Sequence, residues 1–244
     1  MTLFCLPYAG GSSAIFYDWK KLMPSSIKLE PIELKGRGKR FNEGHYNNLD
    51  EAVNDIFLHV KSKIIFSEYA IFGHSMGSLL AYELYYKILR EGLNKPCHIF
   101  FSGHAAPSAA KVKKNLHLLS DDEFIKEVMA LGGMPEELKD NEEIIQLILP
   151  NLRNDFRITE SYIYTEKESK IDCDITIFNG KDDDMTLDDI LSWKVHSKGK
   201  TAIHNFKGNH FFINENAKNI VDIICSTIKA TPINLIPEKL EALA

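Results

Sequence analysis

Gly73-His74-Ser75-Met76-Gly77 sets a serine between two glycines, after an apolar run (Tyr69, Ala70, Ile71, Phe72) and before an apolar helical segment. A strand that turns this sharply into a helix needs small residues on both sides of the serine, and it projects Oγ above the carboxyl edge of a sheet. The same turn leaves the backbone N–H of Met76 at a helix start, where the dipole favours negative charge. A hydroxyl held there is aimed at a carbonyl. Serine alone is a poor nucleophile, so a histidine must take its proton and a carboxylate must orient that histidine. A plain turn is the alternative, and only the presence of those partners argues against it.

With such an elbow the partners follow in the order nucleophile, acid, histidine, on loops after late strands. Ile175-Thr176-Ile177-Phe178-Asn179-Gly180 reads as a strand ending in glycine, and Lys181-Asp182-Asp183-Asp184 follows. Asp183, three residues past the glycine, is the expected acid, with Asp182 the rival that spacing does not exclude. Of nine histidines, His210 in Lys207-Gly208-Asn209-His210-Phe211-Phe212 falls after the last strand pattern and before the last helix, where the base is needed. His45, His59 and His117 precede the acid, while His98 and His104 flank the fourth strand. His196 sits in a Lys- and Ser-rich loop, His204 lies inside a strand, and His74 belongs to the elbow, whose geometry turns it elsewhere. A second oxyanion donor is expected from the loop after the first strand, Leu6-Pro7-Tyr8-Ala9-Gly10-Gly11-Ser12-Ser13. Its glycines let backbone approach a ligand, and the N–H of Ala9 is the expected donor beside that of Met76. The missing Gly-Lys-Ser/Thr excludes a Walker phosphate loop.

Positioning these groups requires a sheet. Strand patterns at Leu3–Leu6, Leu29–Leu34, Tyr69–Phe72, His98–Ser102, Ile175–Asn179 and Thr201–Phe206 alternate with helical patterns at Ile15–Met23, Leu49–Ile65, Ser75–Glu91 and Ala217–Ile228. Such alternation predicts βαβ units and a mainly parallel sheet flanked by helices. One interval breaks the rhythm: about 70 residues separate Ser102 from Ile175, where a crossover needs a dozen or so beyond its helix. Ser120-Asp121-Asp122-Glu123 is a capping box. Gly132-Gly133-Met134-Pro135 breaks the helix it opens, Glu142–Leu149 makes another that Pro150 is expected to end, and Asn154–Tyr164 suggests a third. We expect one domain over 1–244 with a helical lid inserted at 104–170 and hinged at the Gly-Gly and Pro breaks.

The 244-residue chain is 44% hydrophobic and 26% charged, as ordinary soluble domains are. A net charge of −5 argues against nucleic acid as a partner. The four cysteines lack metal-ligand or CxxC spacing and read as small buried hydrophobes in a reducing compartment. No signal-peptide pattern is visible and no apolar stretch reaches membrane-spanning length, so the expected location is cytoplasmic, without a membrane.

Pattern alone leads to an acyl hydrolase of the α/β-hydrolase fold. CLPYAGGSSAIF, KGRGKR, FGHSMGSLLAYEL, LLSDDEFIKEVMALGGMPEEL, LPNLRNDFRITESY, FNGKDD and GNHFFI go further. Together, and in order over nearly the whole chain, they resemble the type II, or editing, thioesterases that accompany nonribosomal peptide and polyketide synthases. The resemblance implies hydrolysis of an acyl or aminoacyl group from the phosphopantetheine arm of an acyl- or peptidyl-carrier protein domain, by a monomer with no metal or cofactor of its own. It carries the triad onto Ser75, Asp183 and His210, and the oxyanion hole onto Ala9 and Met76.

Two departures stand where the arm or acyl group would be gripped. Lys35 replaces a proline before Gly36-Arg37-Gly38, and His104-Ala105 replaces two arginines. Met129, Leu131, Met134, Ile144, Leu147 and Leu149 suit an acyl channel and suit lid packing equally. Rival readings are a carboxylesterase, a medium-chain fatty acyl thioesterase, and a non-catalytic binding protein on a hydrolase scaffold.

Overall fold

The computed structural model describes residues 1–109, 114–133 and 141–230. Six strands form one parallel sheet in the order β2-β1-β3-β4-β5-β6. They are β1 (Thr2–Leu6), β2 (Lys28–Pro31), β3 (Tyr69–His74), β4 (His98–Ser102), β5 (Asp174–Gly180) and β6 (Thr201–Phe206). A parallel sheet needs cover on both faces, and alternate strand residues supply it. Leu3, Cys5, Ala70 and Phe72 pack with Trp19 of α1 (Tyr17–Leu22) and with Ile220, Ile224 and Ile228 of the last helix, Ala217–Ala230. Their neighbours Phe4, Leu6 and Ile71 pack with α2 (Leu49–Ile64) and α3 (Met76–Arg90) on the other face. The expected α/β sheet flanked by helices is the fold observed.

Strand order fixes where loops converge. After β1 the chain crosses to β2 at the edge, and β3 then returns to β1's other side. The crevice between the carboxyl ends of β1 and β3 is such a switch point, the usual binding position in open α/β sheets. β2 is shorter than its pattern suggested. Its register with β1 ends at Pro31; the Ile32 N–H still donates to the Cys5 carbonyl (2.9 Å), and the chain then turns away with Ile32 and Leu34 buried in the core. Among the cysteines Cys5 is buried, while Cys97, Cys173 and Cys225 are half-buried and all are free thiols.

Between β4 and β5 stand two longer helices, α4 (Asp121–Ala130) and α5 (Glu142–Glu160). The Ser120 capping box is present, with the hydroxyl and Glu123 each meeting the other's backbone N–H. Pro150, expected to end a helix, lies inside α5, which runs unbroken for 19 residues and absorbs the separate third helix. Packing outweighs the lost backbone donor, because Leu149 and Leu152 on either side of the proline share one cluster with Leu116, Phe124 and Val128. Two short helices, α6 (Leu187–Leu191) and α7 (Phe212–Glu215), and the last helix named above, α8, complete the α-helices of the described residues.

Candidate active site

The elbow is built as its composition requires. Ser75 sits at φ 54°, ψ −119°, a region that side chains avoid, between β3 and α3. A Cβ at Gly73 would lie 2.0 Å from the Gly77 carbonyl oxygen, and one at Gly77 would lie 2.2 Å from that of Leu6. Neither position tolerates any other residue. The strained turn is pinned to the next strand: the Ser75 N–H donates to the Ser102 carbonyl (2.8 Å), and Ser78 Oγ accepts from the Ser102 N–H (2.9 Å). Met76 opens α3, so its N–H has no carbonyl a turn earlier to meet.

The loops after β5 and β6 are bound to each other. Asp182 N–H donates to the Gly208 carbonyl (3.0 Å), while the Asp182 carboxylate accepts from the Gly208 N–H (3.1 Å). Gly180 leaves room for this, since a Cβ there would come within 2.4 Å of the Asn209 carbonyl. The adjacent carboxylate, Asp183 Oδ2, lies 3.0 Å from His210 Nδ1. Their side chains are 7% and 19% exposed, which limits solvent screening of the pair. With Nδ1–H donated to Asp183, Nε2 is the nitrogen left to accept a proton. No hydrogen bond joins Ser75 Oγ to the imidazole, as is common before substrate arrives.

Ser75, His210, Asp183, Ala9 and Met76 all line one cavity of about 340 Å³ at the switch point. Its remaining wall is largely apolar: Tyr8, Leu116, Val128, Leu131, Leu152 and Phe156. Of the five acyl-channel candidates among the described residues, Leu131 alone lines it. Met129 and Leu149 pack into the α4–α5 cluster, Ile144 and Leu147 are exposed, and Met134 lies outside the described residues, as does Pro135. The glycine break meets the histidine loop closely, since a Cβ on Gly132 would lie 2.8 Å from Asn209 Nδ2 and one on Gly133 2.7 Å from the Phe211 ring. His104 and Ala105 line the cavity, as the departure at those positions implied, whereas Lys35 pairs with Glu51 (3.1 Å).

Four of the other histidines are engaged by other partners. His74 is fully buried, 2.8 Å from Ser102 Oγ, with its ring tilted at 41° and 5.2 Å from the His210 ring. Burial, and then the nearby His210, hold its pKa well below the usual value, so it supports the base as a neutral ring. His98 meets Thr176 Oγ1 (2.8 Å), His196 meets Ser108 Oγ (2.6 Å), and His117 meets Glu160 (2.5 Å). Sequence reasoning missed Tyr8 and Phe211, whose rings meet edge-on at 4.9 Å beside His74 and His210. Adjacency to Ala9 and His210 was their only signal. Gly103, at φ 60° with His74 Cε1 2.7 Å from where its Cβ would be, was signalled by nothing but its type.

Known proteins match this chain at the level of the whole molecule. The family model for the thioesterase domain matches residues 1–231. Gramicidin S biosynthesis protein GrsT of Aneurinibacillus migulanus is 34% identical, over 94% of this chain and 89% of the relative. ClbQ from the colibactin NRPS/PKS pathway superposes with a TM-score of 0.90 at 34% identity, covering 94% of this chain and 97% of ClbQ. BorB, a type II thioesterase from the borrelidin biosynthetic cluster, gives 0.84 at 31% identity, covering 92% and 91%. Alike in sheet, helices and length to solved thioesterases of the α/β-hydrolase fold, this chain belongs to the thioesterase domain family.

Proposed function

We propose that this thioesterase hydrolyses acyl or aminoacyl groups from the phosphopantetheine arm of carrier protein domains and so clears misprimed or stalled synthases. The observation that carries this reading is full-length similarity to GrsT, ClbQ and BorB, proteins named for such pathways. Ser75 Oγ attacks the thioester carbonyl while His210 takes its proton, and Asp183 holds the imidazole and stabilises its positive form. The N–H groups of Ala9 and Met76 receive the oxyanion; loss of one such donor costs about two to three orders of magnitude in rate. Collapse breaks the C–S bond, and His210 returns the proton to the departing pantetheine sulfur. Water, deprotonated by His210, then splits the acyl-Ser75 ester and frees the acid. Within the inserted segment, Leu116 and α4 act as the lid over this cavity, and its apolar wall takes the acyl chain. The enzyme works as a cytoplasmic monomer.

The test is release of a short acyl group from one loaded carrier domain, followed by mass spectrometry. Free acyl-CoA, the matching oxygen ester and the Ser75→Ala enzyme run in parallel. Fast release from the carrier, slower turnover of the free compounds and loss of activity in Ser75→Ala support the reading. Cleavage of the oxygen ester with the carrier ignored would leave only a carboxylesterase. Preference for long acyl chains over short acyl and aminoacyl groups would indicate a fatty acyl thioesterase.

A further inference from the structure

Two motifs of the sequence, Gly36-Arg37-Gly38 and Leu152-Arg153-Asn154-Asp155, lie far apart in the chain and have no part in the triad. They meet beneath the loop that carries Ala9. Asp155, on α5, is fully buried and Arg37 is 7% exposed. The guanidinium grips the carboxylate with both arms, Nη1 to Oδ2 at 2.7 Å and Nη2 to Oδ1 at 2.8 Å. Asp155 Oδ2 also accepts the N–H of Gly10 (2.7 Å), and Arg37 Nη1 also donates to the Gly11 carbonyl (3.0 Å). The turn from Tyr8 to Gly11, closed by the Gly11 N–H on the Tyr8 carbonyl (2.9 Å), is therefore held at both of its glycines. Gly10 takes a positive φ of 77°, and a Cβ there would lie 2.6 Å from Leu152 of the same helix.

We propose that Asp155 and Arg37 are positioning residues for the oxyanion hole, setting the N–H of Ala9 by clamping the residue next to it. The inference rests on Ala9 being a donor to the oxyanion, as proposed above. A carboxylate alone would be a poor support here, because its charge opposes the negative charge that develops on the substrate oxygen. The bidentate guanidinium cancels that charge and leaves only the geometric constraint. Because Asp155 belongs to α5, the carboxyl half of that helix is part of the catalytic frame and stays fixed to it through turnover. Asn151, which donates to the Gly36 carbonyl, and Arg157, which donates to the carbonyls of Tyr46 (2.8 Å) and Asn47 (2.9 Å), anchor the same stretch.

Asp155→Asn keeps the side-chain shape and one acceptor for Gly10, while losing the charge-assisted grip. We expect kcat to fall by about ten- to a hundredfold with KM within about threefold, a fraction of the loss from deleting a donor outright. Affinity for an alkyl boronic acid, whose tetrahedral adduct on Ser75 carries an oxygen in the oxyanion position, should fall by the same factor as kcat/KM. Arg37→Gln should lower kcat at least as far, because it leaves the Asp155 charge uncompensated, and it serves should Asp155→Asn not fold. A folded Asp155→Asn enzyme with parental kcat and boronate affinity overturns the inference, as does a kcat loss that boronate affinity does not follow. Ser75→Ala separates the two levels. If it is inactive and Asp155→Asn is unaffected, only the positioning role fails; if Ser75→Ala turns over normally, the catalytic reading itself fails.

Discussion

Within hydrogen-bonding reach of the histidine loop stand two adjacent carboxylates with different attachments. Asp182 is committed to the Gly208 backbone and Asp183 to the His210 imidazole. Asp183→Asn should therefore lower kcat by about four orders of magnitude, since an amide at that place favours the wrong imidazole tautomer. Asp182→Asn should cost less than about tenfold, because an amide oxygen still accepts from Gly208. Steady-state kinetics on an acyl-pantetheine thioester decides between them, and equal losses would defeat the assignment of Asp183. Spacing left this choice open because three aspartates in a row share one loop, and only the fold of the facing loop separates them. Ser75, Met76 and Ala9 were readable earlier, because an elbow and a Gly-rich loop constrain backbone as much as side chain. Ser78, which staples the elbow to β4, looked like any helix residue.

At the scale of elements, alternating strand and helix patterns identified all six strands and the four flanking helices, since a parallel sheet demands apolar strands and one-sided helices. What escaped was tertiary. Pro150 looks like a stop signal, yet α5 continues through it because Leu149, Leu152 and Phe156 pack against α4 and the residues just before it. A proline so placed still removes a helical hydrogen bond, at up to about 3 kcal/mol. Pro150→Ala should raise unfolding stability by about 1–2 kcal/mol, after the entropy that proline takes from the unfolded chain is subtracted. Urea unfolding measures this, and a loss of stability would mean that the proline ring itself is needed in the packing. The Arg37–Asp155 pair is another element-scale feature that periodicity hides: a charged residue among apolar helix positions shows its role only when its partner, on another loop, is in place.

For the whole molecule, acid should be the condition that exposes how the sheet is packed. His98, on β4, is 3% exposed, and burial pulls its pKa down to about 4. Once unfolded it returns to about 6.5, so between those values the unfolded chain binds the extra proton and stability rises with pH. His74 and His196, whose pKa values burial also lowers, act in the same direction. The full contribution is present above about pH 6.5 and drains as pH falls towards 4. The ion-paired carboxylates behave otherwise. Glu30, beside Lys63 and Lys28, and Asp55, beside Arg40, are held below their usual range, so their contribution begins to drain only near pH 4.5 and under. The window from pH 6.5 to 4.5 thus belongs to the buried histidines, and His98 alone accounts for on the order of 2–3 kcal/mol across it. Replacing His98 and its hydrogen-bond partner together, His98→Phe with Thr176→Val, removes the titrating ring without stranding the Thr176 hydroxyl, and Phe100 stands 4.4 Å away to receive an aromatic ring. Urea unfolding of parent and double variant at steps from pH 7 to 4.5 reads the difference. The parent should lose that much more stability than the variant across the window; parallel curves would mean that His98 does not stay neutral in the folded sheet.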